Sequence, residues 1–203
     1  MSWNCNGLLG SILCLWLALP AGYCATIFAE NFNTGSLPAG WTTSGFGGSW
    51  SITSLCPAST PGCSSGDYAY YGDTGSCEYV DGDAELTSPV INLPLDQTIT
   101  LNCSRHDAPP PPPPGGMFGP PSALVRVYYD LGTGFWSGDD VVTTNDGIWE
   151  TRTVDLTLYA GQSIQLAFSF SAFMTGISGL GWQVDNILVA DDSAGPILSA
   201  SAR

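Results

Sequence analysis

Apolar and polar residues alternate with a period of two along much of this chain. Ile164, Leu166, Phe168 and Phe170 alternate with Gln165, Ala167, Ser169 and Ser171, and Val125, Val127 and Tyr129 alternate with Leu124, Arg126 and Tyr128. Successive side chains of an extended strand leave opposite faces, so this period predicts strands with one face turned to a core. Similar runs, bounded by Gly, Asp, Asn and Pro, place strands near 26–32, 48–53, 67–72, 84–91, 97–103, 123–130, 148–156, 162–171 and 182–190. No window carries a sustained helical stripe with caps at its ends. Short strands with regular turn signals predict an all-β, antiparallel β-sandwich of the jelly-roll kind.

Two of these runs break their own pattern. The closing run, Gly181-Trp182-Gln183-Val184-Asp185-Asn186-Ile187-Leu188-Val189, holds a carboxylate and an amide in its middle, and Glu30 interrupts the apolar opening run Ile27–Phe32. A polar group inside a packed sheet needs a partner, because burying it unsatisfied costs several kcal/mol. Carboxylates on the first and last strands therefore point to a site where the two ends of the domain meet around a hard cation. The competing reading has Glu30 and Asp185 hydrogen-bonded to neighbouring loops.

Composition adds the compartment. The stretch from Gly7 to Pro20 is apolar and is followed by Ala21, Gly22 and Ala25, which reads as a signal peptide over 1–24, although no Lys or Arg precedes it. The domain is expected over 25–190, with a short tail over 191–203 and a proline-rich insertion over 107–121 that contains six consecutive prolines, Pro109 to Pro114. The tail shows no membrane span and no sorting motif, so no membrane insertion of the mature chain is expected, and the protein is read as secreted or surface-exposed. Beyond the leader stand Cys56, Cys63, Cys77 and Cys103. An even set in an exported chain reads as disulfides, and the pairing favoured is Cys56–Cys63 with Cys77–Cys103. Zinc is disfavoured, since there is no CxxC pair and a single histidine, His106.

The 203-residue chain has 18 acidic residues against four arginines and no lysine, a formal net charge of −14. That balance argues against nucleic acid and anionic membrane surfaces as partners, which require basic patches. Asp81, Asp83 and Glu85 fail the EF-hand spacing and, at alternate positions of a strand, share one solvated face. Catalysis has little support: there is no GxSxG elbow to complement His106 and Asp107, and no enzyme is expected. Sugar-stacking candidates are Tyr68, Tyr70, Tyr71, Tyr128, Tyr129, Trp136 and Trp149, with Trp136 in the Gly134–Gly138 turn expected to be exposed, and alternation sends about half of such residues into the core. Trp136 and Tyr128 are the ligand-binding candidates retained.

The ordered series Phe28-Ala29-Glu30-Asn31-Phe32, Leu37-Pro38-Ala39-Gly40-Trp41, Trp50, Ala69-Tyr70-Tyr71-Gly72-Asp73, Leu86-Thr87-Ser88-Pro89-Val90-Ile91, Val125–Asp130, Val154–Phe168 and Gly181–Ile187 resembles the choice-of-anchor J domain family, related to cleaved-adhesin and MAM-like jelly rolls. The resemblance spans about residues 26 to 190. It implies a secreted binding or adhesion module whose partner is an extracellular protein or a glycan, with a carbohydrate-binding module as the alternative and a secreted hydrolase a distant third. It also implies structural roles for Trp41, Trp50 and Trp182, and a structural Ca²⁺ held by Glu30, Asn33 and Asp185. Asn33 and Asn186 stand where relatives often have acidic residues, which lowers the charge of such a site.

Overall fold

The computed structural model describes residues 25–56, 66–95, 97–106, 122–130, 136–143, 149–172 and 181–191. The expected signal peptide over 1–24 and the proline-rich insertion over 107–121 lie outside the described residues, as does the expected tail except for Asp191, which closes the last strand.

The alternating runs become strands of two packed antiparallel sheets, and no α-helix occurs among the described residues. The first sheet runs β10 (Trp149–Asp155), β7 (Ile99–His106), β12 (Trp182–Asp191), β4 (Tyr68–Tyr71), β3 (Trp50–Thr53), with β1 (Thr26–Glu30) also paired to β12. The second runs β2 (Thr42–Phe46), β5 (Gly82–Thr87), β11 (Ser163–Ala172), β8 (Ser122–Asp130), β9 (Trp136–Thr143), with β6 (Ile91–Asn92) also paired to β11. This is the antiparallel jelly-roll sandwich that the periodicity predicts.

Each sheet has one long strand whose edge is shared end to end by two short ones. Along β12, β4 pairs with residues 182–184 and β1 with residues 187–190, which leaves a gap at Asp185-Asn186. Along β11, β5 pairs with residues 167–172 and β6 with residues 163–164. There the gap is closed by Ser88: its backbone N–H donates to the Leu166 carbonyl at 2.8 Å, and its Oγ accepts the Leu166 N–H at 2.9 Å. A fully buried backbone group requires such a partner.

The inward faces meet in a largely aromatic core. Trp182 lies 5.3 Å from Trp50 and 5.9 Å from Phe168, Tyr71 lies 4.5 Å from Phe170, and Trp41 lies 5.1 Å from Phe32 (ring centroids). Trp41, Trp50 and Trp182 are all buried, as the resemblance implies. Trp50 also donates from its indole N–H to the Ala84 carbonyl of the opposite sheet at 3.4 Å.

A second, smaller apolar cluster lies on the other side of the first sheet. Tyr68 and Tyr70 alternate outward from β4 but are buried with Cys56 under the segment that follows β3 and the loop that follows β4. Tyr68 Oη and Gln183 Nε2 both donate to the Cys56 carbonyl, and Cys56 is bonded to Cys77. The predicted pairing is therefore corrected. Cys103 faces the main core from β7, whereas Cys77 sits on the outer side of the sheet, so those two sulfurs cannot meet. Cys63 lies outside the described residues.

Candidate functional site

At the gap in β12, the Asp-Asn break read from the sequence is a β-bulge. Asp185 faces Ser104 and Leu188 faces Asn102, so β12 carries one extra residue, and Asn186 takes a left-handed φ of 49°. Asparagine accepts that conformation more readily than most residues. Asp185 is buried, and its Oδ1 accepts the Asn186 N–H at 2.7 Å. Across the gap, Glu30 Oε1 accepts the N–H groups of Asn31 at 2.9 Å and Phe32 at 2.7 Å. Those two bonds hold Phe32 at a φ of 54° and turn the chain off β12 just after Glu30. Glu30, Asn31 and Asn186 border an open recess there.

The structure thus places Glu30 and Asp185 on neighbouring strands at the same junction; Glu30 commits one oxygen to its own backbone, and Asp185 commits both, Oδ1 to the Asn186 N–H and Oδ2 to the Asn186 side-chain amide at 3.2 Å. Asn33 has another use: its Oδ1 accepts the Asp67 N–H at 3.0 Å, tying the end of the turn to the approach to β4. Among the described residues, no three acidic, histidine or cysteine side chains gather as a metal-ligating group. The donor set at the junction is hard oxygen, and Glu30 and Asp185 suit a cation that would draw its other ligands from carbonyls and water.

The outer face of the second sheet is built differently. Glu85 and Thr87 of β5, Ala167 and Ser169 of β11, and Arg126 and Tyr128 of β8 all alternate outward. Ser169 Oγ donates to Glu85 Oε2 at 2.7 Å and Tyr128 Oη donates to the same oxygen at 3.0 Å. Thr87 Oγ1 donates to Glu85 Oε1 at 3.1 Å, and Arg126 Nη1 lies 3.9 Å from Glu85 Oε2. The Arg126 guanidinium also lies 5.9 Å from the centroid of the Tyr128 ring.

These side chains lie down across the sheet. Ala167 faces outward by register, yet it has no exposed surface, because the network covers it. Gly138 of β9 makes room for the arrangement, since a Cβ there would stand 2.8 Å from both Arg126 Cδ and Tyr128 Cε1. Burial raises the Tyr128 pKa, and the Arg126 contact opposes that shift. The Glu85 carboxylate, expected on a solvated face, is instead the hub of this network, while Asp81 and Asp83 are solvated as expected. Phe46, at the end of β2, is exposed on the same face opposite Asp83. Its position was not anticipated, because the polar segment Thr42-Thr43-Ser44-Gly45 gives no alternation signal.

Of the other aromatic candidates, Tyr68, Tyr70 and Tyr71 are buried and Tyr129 packs on Tyr159. Trp136 and Trp149 belong to β9 and β10, and their side chains lie outside the described residues.

No family model matches the chain. A curated relative, bacillopeptidase F of Bacillus subtilis strain 168, is 26% identical over 180 residues, covering 88% of this chain, which spans 11% of that relative's length. Among solved structures, the C-terminal family 22 carbohydrate-binding module of Clostridium thermocellum Xyn10B is similar at a TM-score of 0.52 and 9% identity, over 85% of this chain and 96% of that one. The K3 cleaved-adhesin domain of Lys-gingipain from Porphyromonas gingivalis is similar at a TM-score of 0.45 and 16% identity, over 81% of this chain and 99% of that one. The first likeness agrees with the β-sandwich fold. No helix among the described residues is long and apolar enough to cross a membrane.

Proposed function

We propose that this chain is an exported, non-catalytic glycan-binding module, of the choice-of-anchor J type, that binds through the outer face of its second sheet. The observation that carries this reading is the network laid flat over Ala167: an aromatic ring, a guanidinium and a carboxylate held in fixed positions. Sugars are bound by stacking on such rings and by hydrogen bonds from their hydroxyls to planar polar groups, and groups already fixed lose little entropy on binding. The outer face of the first sheet is a poorer candidate, since the Cys56–Cys77 segment covers its tyrosines. That disulfide also suits an oxidising, extracellular compartment. The similarity of fold to a carbohydrate-binding module supports the reading.

The test is affinity electrophoresis of the protein through gels containing soluble polysaccharides. Retardation that Tyr128→Ala removes supports the proposal. Equal mobility of wild type and variant in every gel would overturn it.

In the same reading, a structural Ca²⁺ joins the first and last strands, with Glu30 and Asp185 as its carboxylate ligands. The support is their position on adjacent strands at the bulged junction of β1 and β12, and a thermal melt provides the test.

A further inference from the structure

The rows of the outer face define a path. Phe46 stands opposite Asp83 and Ser171, Glu85 opposite Ser169, Arg126 opposite Ala167, and Tyr128 opposite Gln165. With about 3.3 Å per residue and about 4.8 Å between strands, the Phe46 and Tyr128 Cα positions are roughly 24 Å apart along a diagonal crossing β5 and β11. Between them the surface is low and hydroxylated: Ser44, Thr87, Ser169 and Ser171, with Glu85 in the middle.

The charges along this path are few, and two of the three engage each other. Arg126 is held by Glu85, and Asp83 is exposed beside Phe46. A polyanion would have to displace Glu85 from Arg126, pass Asp83 and approach a chain of formal net charge −14. A neutral polymer meets none of these barriers, and its hydroxyls match the hydroxyl and carboxylate lining.

We infer that this face takes an extended, uncharged polysaccharide chain, laid from Tyr128 over Glu85 to Phe46. The inference rests on the glycan-binding reading above and adds the charge class of the ligand and a second stacking residue.

The experiment uses the full secreted chain in affinity gels containing xylan, mixed-linkage β-glucan or galactan as neutral probes, and polygalacturonate or alginate as anionic ones. Each is run at about 20 mM and about 500 mM NaCl, so that exposed charge–charge attraction is either present or screened. The expected result is retardation by at least one neutral polymer, insensitive to salt and weakened about fivefold or more by Phe46→Ala and by Tyr128→Ala, as for loss of a stacking ring. Thermal melts of both variants establish that they are folded, and Phe46, 61% exposed, can be truncated without opening the core. Retardation by the anionic polymers alone, weakened by salt and by Arg126→Gln, would overturn the inference while leaving the glycan-binding reading standing. Binding to neutral polymers that Tyr128→Ala weakens and Phe46→Ala does not would remove the path and leave a site at Tyr128 only. No binding to any probe, or binding indifferent to both aromatic variants, would bring down the reading and the inference together.

Discussion

Tyr70 and Tyr71 are consecutive residues of β4, so their rings leave opposite faces, yet both are wholly buried. Tyr71 Oη donates to the Val80 carbonyl at 2.9 Å, and burial pushes both phenols up to about 12. The folded state therefore holds two protons that the unfolded chain gives up near pH 10. Stability falls wherever the native state binds more protons than the unfolded one as pH rises. Below pH 10 these rings should leave the melting temperature unaffected, and between pH 10 and 12 it should drop steeply. Phenolate absorbance near 295 nm should show Tyr70 and Tyr71 among the tyrosines that ionise only as the protein unfolds. Their titration near pH 10, before unfolding, would mean that the rings are open to water. Ser88 is a second residue whose role is local. Ser88→Ala removes the acceptor of the buried Leu166 N–H and should cost about 1–3 kcal/mol, read as a lower urea midpoint at unchanged slope. An unchanged midpoint would mean that another group satisfies that N–H.

At the scale of elements, the Cys56–Cys77 bridge holds a cover of chain over one face of the first sheet. Its sequence separation is 21 residues, and cross-linking a loop of that order stabilises by about 3 kcal/mol in the chain-entropy account. Changing both cysteines to serine should lower stability by about that much, measured by urea unfolding. It should leave glycan retardation intact, because Tyr128 and Glu85 lie on the other sheet. Loss of retardation in a variant that still unfolds cooperatively would place the ligand on the covered face instead. The bridge also shows where periodicity stops being informative. Cysteine spacing favoured a short loop closed on Cys63, and the true pairing depends on which side of β4 and β7 each sulfur faces, which no linear spacing encodes. The long strands β8 and β11 were legible because one face of each is buried, so apolar residues alternate, and β12 was legible because, buried on both faces along most of its length, it is dense in apolar residues. Strand β2 was not legible, being an edge strand exposed throughout, with no apolar face to mark it. Nor was β9, whose first residues Trp136-Ser137-Gly138 read as part of the Gly134–Gly138 turn. Segment 84–91 was read as one strand, but Ser88-Pro89-Val90 breaks it into β5 and β6. The candidate site was half visible for the same reason: Tyr128 stood on a clear strand, and its partners Glu85 and Ser169 became neighbours only through registers set by the whole sheet.

For the whole molecule, the closing contact is the pairing of β1 with β12, which brings the two ends of the domain into one sheet. Little holds that edge besides the ladder. Among the residues of β1, Ile27 and Phe28 pack against the main core only from half-buried positions, and none is fully buried. Glu30 and Asp185 lie on adjacent strands beside the stretch of the β12 edge left between β4 and β1, in a chain of formal net charge −14. A divalent cation bound there would neutralise two carboxylates and tie β1 to the sheet at once. An ion that binds the native state alone raises stability by RT ln(1 + [L]/Kd), about 2.7 kcal/mol at a hundredfold excess over Kd. Thermal melts in EDTA and then in excess Ca²⁺ should therefore show a clear rise in melting temperature. Glu30→Gln should remove most of that rise while keeping an oxygen for the N–H groups of Asn31 and Phe32, which separates loss of the ion from loss of the turn. Asn33→Ala should lower the melting temperature equally with and without Ca²⁺, because its oxygen serves the Asp67 N–H. If Ca²⁺ changes nothing, the two carboxylates serve the backbone of the turn and the bulge, and β1 is held by its ladder and half-buried packing alone.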